Sequence, residues 1–247
     1  MGKALGTVGA AVNTALAPLR FVVWSFDQIE LMIKGKLEER LKGVPKEKIV
    51  TPPSNVAVPV LEALRYTADL EPLREMFVNL LATSMNSDTS PKAHPSFASI
   101  IKDLTPDEAR IIQHLSLEEN HACIEFHRYE HTDAEGYVVV HRHLTLLGHA
   151  AGVSDPHDVA QAIENLIRNR ILDDAKNLQM VDNGLYDRIE ELPAYEACAE
   201  KFKKEGIRFY TQRYSVILTE FGRRFVEACV HQGLSPEPGS GAVEHHL

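Results

Sequence analysis

The sequence lacks the features that would at once assign a compartment. Its three cysteines, Cys123, Cys198 and Cys229, are scattered and odd in number. A disulfide framework needs paired cysteines, so this set suits a reducing cytoplasm. The N-terminus has no basic region followed by a compact apolar core and a cleavage site, which argues against a secretory signal.

Catalytic and cofactor motifs are also missing. The chain has no Cys-x-x-Cys, no His-Glu-x-x-His, no glycine-rich phosphate loop and no nucleophile elbow. Histidines do cluster in sequence, and His141 and His143 share one side of a predicted strand, as do His121 and Cys123, which metal ligation would permit. No carboxylate lies at a matching spacing, so we predict no catalytic residue, no metal and no cofactor. A nuclease-like carboxylate site, which needs no local motif, stays open as an alternative.

The chain contains fewer basic than acidic residues. Lys and Arg total 26 against 35 Asp and Glu, for a formal net charge of −9. Phosphate binding relies on an excess of Lys and Arg, so broad capture of nucleic acid is disfavoured.

The segment from Gly6 to Trp24 contains almost no charge. It is about long enough to span a bilayer, but Asn13, Pro18 and Arg20 raise the cost of crossing one. Small residues recur every four positions, which lets helices approach closely: Gly6, Ala10, Thr14 and Pro18. Trp24 and Arg20 stand where an interfacial aromatic residue and a snorkelling cation would lie. We expect a helix that is buried or that drives self-association into a homo-oligomer, with membrane contact through residues 6–24 as the alternative.

Helical periodicity continues through the first half of the chain. Apolar residues recur at three- and four-residue steps from Trp24 to Gly43. Pro45 to Pro59 is predicted to be an extended, proline-rich strap. Two helices follow, broken near residues 67–71, with Phe77 and Leu81 on the apolar face. A capping box at Thr105–Glu108 then opens another helix.

The polar loop between two of these helices is a candidate recognition loop. Ser90 and Lys92 lie in its exposed part, and loops of this kind often carry binding residues. Phe97 is predicted to anchor the loop against the helical hairpin, with Pro95 starting the next helix. Simple docking of the loop is the favoured interpretation.

The second half changes character. Two alternating stretches, "ACIEFHRYE" and "GYVVVHRHLTLL", predict a β-hairpin. A helix capped at Asp155 follows, then a strand pair and a strand that runs into the helix of "LTEFGRRFVEAC", an order typical of a winged-helix unit. Six arginines on these elements could form a basic face, although solvated surface arginines are the favoured interpretation: Arg168, Arg170, Arg208, Arg213, Arg223 and Arg224.

These patterns predict a mainly α protein of the α+β class. An N-terminal helical hairpin or bundle would precede a winged-helix-like domain with a small β-hairpin. The predicted parts are residues 1–44 (apolar and amphipathic helices), 45–104 (strap and helical hairpin), 105–232 (winged-helix-like domain) and 233–247 (disordered tail).

Several stretches together resemble a known family. They are "APLR" from Ala17, "ALRYTADLEPLREMFVNLLATSM", "HPSFASIIKDLTPDEARII" and the "LTEFGRRFVEAC" end. The chain resembles the Abi-alpha (abortive infection alpha) proteins of bacteria over roughly Ala17 to Cys229. The resemblance implies a role in defence against phage and no established catalytic site.

We therefore expect a non-enzymatic anti-phage protein that acts through protein–protein interaction, self-association or membrane contact. A phage or host protein would be its trigger, and its place would be the cytoplasm or the periphery of the inner membrane. The alternative is a winged-helix regulator that binds DNA. The helix from Asp155 to Arg170 would enter the major groove. It carries both acidic and basic residues, which disfavours that role.

Overall fold

The computed structural model describes residues 2–21, 26–117, 120–129 and 136–230. Trp24 and the predicted tail at 233–247 lie outside these residues. The described helices of the first half are α1 (Gly2–Leu16), α2 (Phe26–Arg40), α3 (Ser54–Thr67), α4 (Glu71–Met85), α5 (Ser96–Lys102) and α6 (Pro106–Leu115).

Helix α4 lies at the centre of the helical part. It contacts α2, α3, α5, α6 and the helix at Glu220–Cys229. Residues from Met76 to Met85 are all buried, and Phe77 and Leu81 are fully enclosed, as the apolar pattern predicts. A helix that is apolar nearly all round is stable only when other elements cover every side, so α4 organises the packing of its neighbours.

Helices α1 and α2 pack against each other and against this core. Val8, Val12 and Leu16 of α1 are buried, and so are Ile33 and Leu37 of α2. One side of the nearly uncharged N-terminal segment is therefore part of the hydrophobic core. Among the described residues, no helix combines the length and the apolar character needed to cross a membrane.

The predicted strap at 45–59 is wrong in its second part. The chain is non-helical around Pro52 and Pro53, but α3 begins at Ser54 and includes Pro59. Proline inside a helix removes a backbone hydrogen bond. Here packing of the buried side chains of Val56 and Val60 into the core compensates for the lost hydrogen bond. The periodicity of the sequence around Pro59 does not show this packing.

The loop after α4 is held at both ends. The amide of Val50 donates to the carbonyl of Met85, and the amide of Ser87 donates to that of Lys48. Phe97 is buried as predicted, and its ring packs edge-on against Phe221 and Phe225 near the end of the chain. The loop is thus anchored to the last helix as well as to the helical hairpin.

The second half contains a four-stranded antiparallel sheet with the order β2-β1-β4-β3. Its strands are β1 (Asn120–Tyr129), β2 (Tyr137–Leu144), β3 (Leu172–Ala175) and β4 (Phe209–Leu218). The pairing of β1 with β2 confirms the predicted hairpin, whose turn lies outside the described residues. Because β1 and β4 are central, β2 and β3 form the two edges.

Helices surround this sheet. They are α7 (Leu147–Ala151), α8 (Pro156–Arg168), α9 (Gly184–Glu190), α10 (Pro193–Lys204) and α11 (Glu220–Cys229). The side chain of Asp155 caps α8 and that of Thr219 caps α11, while Thr105 and Glu108 form the predicted capping box of α6. Strands β3 and β4 do pair, but α9 and α10 lie between them in the chain. The fold is mainly α with a small sheet, and the winged-helix comparison stays a prediction.

Two apolar cores lie on opposite sides of the sheet. The larger one runs from α1 through α4 to α11 and includes Cys123 and Tyr214 of the sheet. The smaller one joins Phe126 to Tyr186 and Phe202 of α9 and α10. The larger core draws residues from the ranges 1–44, 45–104 and 105–232 alike.

Replacing Phe77 with Ala should lower the free energy of unfolding by about 3–5 kcal/mol, because a fully enclosed ring would leave a cavity. Urea unfolding followed by circular dichroism measures the change. Tyr66→Ala is the matched control, since Tyr66 lies on α3 with most of its side chain in solvent. Equal effects of the two substitutions would contradict the central place of α4.

Candidate functional site

A group of polar side chains is buried on one face of the sheet. Side chains alternate along β1, so Cys123, Glu125 and His127 face the larger core while Ile124 and Phe126 face the smaller one. Tyr214 of β4 lies directly opposite Cys123 and joins the first set. We call this group and its partners the sheet cluster: Glu125, His127, Arg142, His143, Glu164, Lys176 and Tyr214.

Glu125 is the centre of the sheet cluster. One carboxylate oxygen accepts a hydrogen bond from Lys176 Nζ at 2.7 Å and lies 3.1 Å from His127 Nε2. The other oxygen is 3.8 Å from Arg142 Nε. Only 1% of the Glu125 side chain is exposed. A carboxylate this deeply buried is tolerated only when cations and donors compensate its charge, which fixes the position of Lys176 just after β3.

A second chain of contacts runs from Tyr214 to helix α8. The Tyr214 hydroxyl lies 2.6 Å from His143 Nδ1, and His143 Nε2 lies 3.3 Å from Glu164 Oε1. In the tautomer that satisfies both contacts, Tyr214 donates to Nδ1 and the ring N–H donates to Glu164. His143 has a φ of 52°, next to an irregularity in the pairing of β1 and β2. Such a backbone costs on the order of 1–3 kcal/mol and here aims the imidazole at its partners.

Burial sets the protonation states of these groups. It lowers the pKa of both His127 and His143. It raises the pKa of the Cys123 thiol to about 12, and that of the Tyr214 hydroxyl also rises because of burial. Near neutral pH the imidazoles are therefore uncharged, and the thiol and the phenol keep their protons. The sheet cluster holds protons in place and offers no activated nucleophile.

Access to the sheet cluster is limited to its rim. Glu125, His127, His143 and Tyr214 are buried. The side chains of Lys176, Arg142 and Glu164 are one-third to one-half exposed. The geometry fits an internal network that ties β1, β2, β3, β4 and α8 together.

The histidines considered as metal ligands have other partners. His141 stacks on His157 of α8, with ring centroids 5.3 Å apart, while His143 is bonded as described above. Within the described ranges, no three His, Cys, Asp or Glu side chains come together as a metal site.

The residues predicted at the N-terminal surface and the loop lie apart from the sheet cluster. Gly6 and Ala10 lie on α1, and Ala10 is exposed. Arg20 forms two hydrogen bonds to the Glu30 carboxylate, at 2.7 and 2.8 Å. Ser90 lies in a short 3-10 turn with Lys92, whose Nζ is 3.0 Å from Glu227 of α11.

Of the six predicted arginines, Arg213 is half-buried and pairs with Asp187 and Glu190, while the other five are exposed. Arg168 donates to Asn165 on its own helix, and the carbonyl of Arg170 accepts from the Thr219 hydroxyl. Both Arg223 and Arg224 approach Glu220, with Nε–carboxylate oxygen distances of 3.5 and 3.6 Å respectively. Their local contacts are with this chain's own polar groups, and a partner for them stays a prediction.

The sequence contains one local signal for the sheet cluster. In "ACIEFHRYE" the polar residues Glu125 and His127 share a face with Cys123, so alternation places the pair on one face, while its burial is seen only in the structure. No local signal points to Lys176, Glu164 or Tyr214, because only the packing of α8, β3 and β4 around β1 brings them to that face.

The chain matches the model of the abortive infection alpha family over residues 26–229. It belongs to the abortive infection alpha family. Comparison with curated proteins gives no match. A solved structure of an uncharacterized protein from the hydrocarbon-degrading marine bacterium Alcanivorax borkumensis SK2 is similar at 18% identity and a TM-score of 0.37, covering 56% of this chain and 92% of that one. A TM-score this low carries no argument about the fold.

Membership in the abortive infection alpha family indicates a role in abortive infection, a defence of bacteria against phage. The alternative of a DNA-binding regulator gains no support from these comparisons. Three of the exposed arginines, Arg168, Arg223 and Arg224, lie beside amide or carboxylate groups of this chain.

In this abortive infection alpha protein, Lys176→Met should lower the free energy of unfolding by about 3 kcal/mol, the low end of the cost of breaking a buried pair, because Lys176 is one-third exposed. Urea unfolding measures the change. Glu125→Gln combined with Lys176→Met should restore part of it, since no uncompensated carboxylate remains. A double variant that is less stable than Lys176→Met would contradict this account of Glu125.

The buried histidines predict a loss of stability in mild acid. Their pKa values in the folded protein lie below the ordinary value of 6.5, so below that pH the unfolded chain binds more protons. Stability should be constant above about pH 7, should fall as the pH drops from 6.5 towards the lowered values, and should then level off with respect to these groups. Unfolding curves at pH 7.5 and 5.5 measure the fall, which His127→Gln should reduce. An unchanged pH dependence in that variant would exclude His127 as a source.

Proposed function

We propose that this abortive infection alpha protein acts without catalysing a reaction, by contact with other protein chains. Self-association through the outer side of α1 and α2 is the contact we favour. The observation that carries the proposal is the exposure of Leu31 and Met32, at 82% and 46%, on a helix whose other side is fully buried.

Helix α2 is apolar on two sides. Ile29, Ile33 and Leu37 face the core, while Leu31 and Met32 face solvent. A helix that serves only to cover a core needs one apolar stripe and a polar outer side. The second apolar side is therefore consistent with a partner surface.

The adjoining helix supports close approach of a partner. Ala10, Thr14 and Pro18 are exposed along α1 and the turn after it. The Thr14 hydroxyl donates to the carbonyl of Ala10, so it needs no bond from a partner. Small side chains with satisfied polar groups allow two helices to meet closely.

Membrane contact is the less favoured outcome. The ion pair between Arg20 and Glu30 lies within the same helical hairpin, and transfer of such a pair towards hydrocarbon would be costly. A second protein copy can leave this pair in water while it covers Leu31 and Met32.

The sheet cluster supports a mechanism without catalysis. Its inner groups are committed to one another, and its imidazoles are uncharged near neutral pH as a result of burial. A phage or host protein that triggers the response would then act on the surface of the molecule.

Leu31→Lys together with Met32→Lys should reduce the average mass in solution and weaken protection against phage, because charged side chains would oppose contact of two copies at this surface. Light scattering measures mass, and plaque counts on cells with each variant measure protection. Deleting α1 would be a poorer test, since Val8, Val12 and Leu16 are core residues.

Leu117→Lys is the matched control, because Leu117 is also exposed but follows α6. It should change neither mass nor plaque counts. An unchanged mass in the Leu31/Met32 variant would rule out self-association through this surface, and unchanged protection would separate that surface from defence.

A further inference from the structure

The pairing of β1 with β2 is interrupted near one end of the sheet. The register shifts on both sides of Phe126, which leaves Val140 as an extra residue of β2 without a partner on β1. Among the described residues, three pairs lie beyond this bulge: His127–Val139, Arg128–Val138 and Tyr129–Tyr137. Because β2 is an edge strand and a bulge locally disrupts the ladder, residues 137–139 are attached to the sheet from one side and by few contacts. We call residues 137–139 the strand end.

His127 lies beneath the strand end. The residue is 1% exposed, and its imidazole lies between two tyrosine rings. The ring centroids are 4.6 Å from Tyr137 and 4.4 Å from Tyr210. Tyr137 belongs to the strand end and is itself 51% exposed, so it separates the imidazole from solvent. Displacement of the strand end would therefore admit water to His127.

The two ring nitrogens of His127 have different surroundings. Nε2 lies 3.1 Å from a carboxylate oxygen of Glu125, which accepts hydrogen bonds only, so Nε2 carries the proton. Nδ1 is buried and has no hydrogen-bond partner among the residues that the structure describes. A second proton at Nδ1 would create a buried N–H without an acceptor, which is unfavourable.

The charged groups that face His127 do not offset this cost. Glu125 and the two tyrosine rings would attract an imidazolium. However, Lys176 from the segment after β3 and Arg142 from β2 already lie against the Glu125 carboxylate. The pKa of His127 is therefore below its ordinary value of 6.5, with burial as the largest cause and the two cations lowering it further. The neutral imidazole fits the closed strand end, and the protonated imidazole requires solvent.

We propose that the strand end opens about the bulge at Val140 when His127 takes up a proton at Nδ1, which makes this end of the sheet an acid-sensitive switch. In the closed form Tyr137 covers the neutral imidazole. In the open form water accepts the hydrogen bond from Nδ1–H, and the ring of Tyr210 is uncovered. The proton comes from solvent and no covalent bond of the chain changes. The proposal rests on the sheet and is independent of the surface formed by α1 and α2.

The direction of the pH dependence follows from proton binding. In the open form the solvated imidazole has the ordinary pKa of 6.5, and in the closed form the pKa is lower. Opening is therefore independent of pH well above 6.5 and becomes more frequent as the pH falls below that value. At pH 5.5 the population of the open form rises by up to about tenfold. The rise ends once the pH is below the lowered pKa of the closed form.

Amide hydrogen exchange in the full chain tests the switch. His127→Gln keeps a donor for Glu125 but takes up no proton in this pH range. Exchange of the strand end is compared between the wild type and this variant at pH 7.5 and at pH 5.5, since both proteins have the same chemical exchange rate at a given pH. The ratio of wild-type to variant exchange should be several-fold larger at pH 5.5. An equal ratio at the two pH values would overturn the proposal.

Exchange in α4 separates local opening from a general loss of stability. The amides of this buried helix exchange only when much of the fold opens. The effect of acid on the wild-type to variant ratio should be several-fold larger at the strand end than in α4. An equal effect at both places would show that His127 acts on overall stability alone, and the switch would be wrong.

Two further variants keep the test decisive if His127→Gln does not fold. His141→Gln is the matched control, because His141 is also a half-buried histidine of β2 but lies on the other side of the bulge, stacked on His157. It should keep the full acid response of the strand end. Tyr137→Ala should exchange faster at both pH values and respond less to acid, since water already reaches His127. Loss of the response in His141→Gln, or an unchanged response in Tyr137→Ala, would contradict the proposal.

Discussion

The fold depends on the burial of helix α4 from Met76 to Met85 and on how the polar side chains of that stretch are satisfied. Asn79 donates to the carbonyls of Cys229 and Val230, and Thr83 donates to that of Ala228. These carbonyls belong to the last turn of α11, which has no further turn to bond them. The buried polar side chains of α4 thus bond to the carbonyls at the end of α11. Through these bonds, residues 150 positions apart in the chain share one core.

The sheet has a comparable requirement at Glu125. Its buried carboxylate is compensated from β1 by His127 and from the segment after β3 by Lys176. The neighbouring contact of His143 with Tyr214 and Glu164 joins β2 to β4 and α8. Because these contacts form only when all of these elements are present, the network favours one arrangement of the sheet over others.

In this abortive infection alpha protein, the network of ionisable side chains is centred on buried residues, while several apolar side chains are exposed at the surface. In the sheet cluster the buried Glu125 carboxylate is compensated by Lys176 and Arg142, which are partly exposed, while Leu31, Met32, Val138 and Val140 lie at the surface. Family membership indicates defence against phage, and this distribution agrees with a protein that works by contact with other chains. The pairing of Arg223 and Arg224 with Glu220 reduces the positive charge that contact with a phosphate backbone would require.

Local patterns in the sequence determined the elements themselves. The capping box at Thr105, the cap at Asp155, the buried face with Phe77 and Leu81, and the β-hairpin all follow from spacing between near neighbours. Tertiary structure alone decided that Pro59 is helical, that α9 and α10 separate β3 from β4, and that Lys176 meets Glu125. These features depend on packing or charge compensation between residues far apart in the chain, and the periodicity of a single segment does not contain that information.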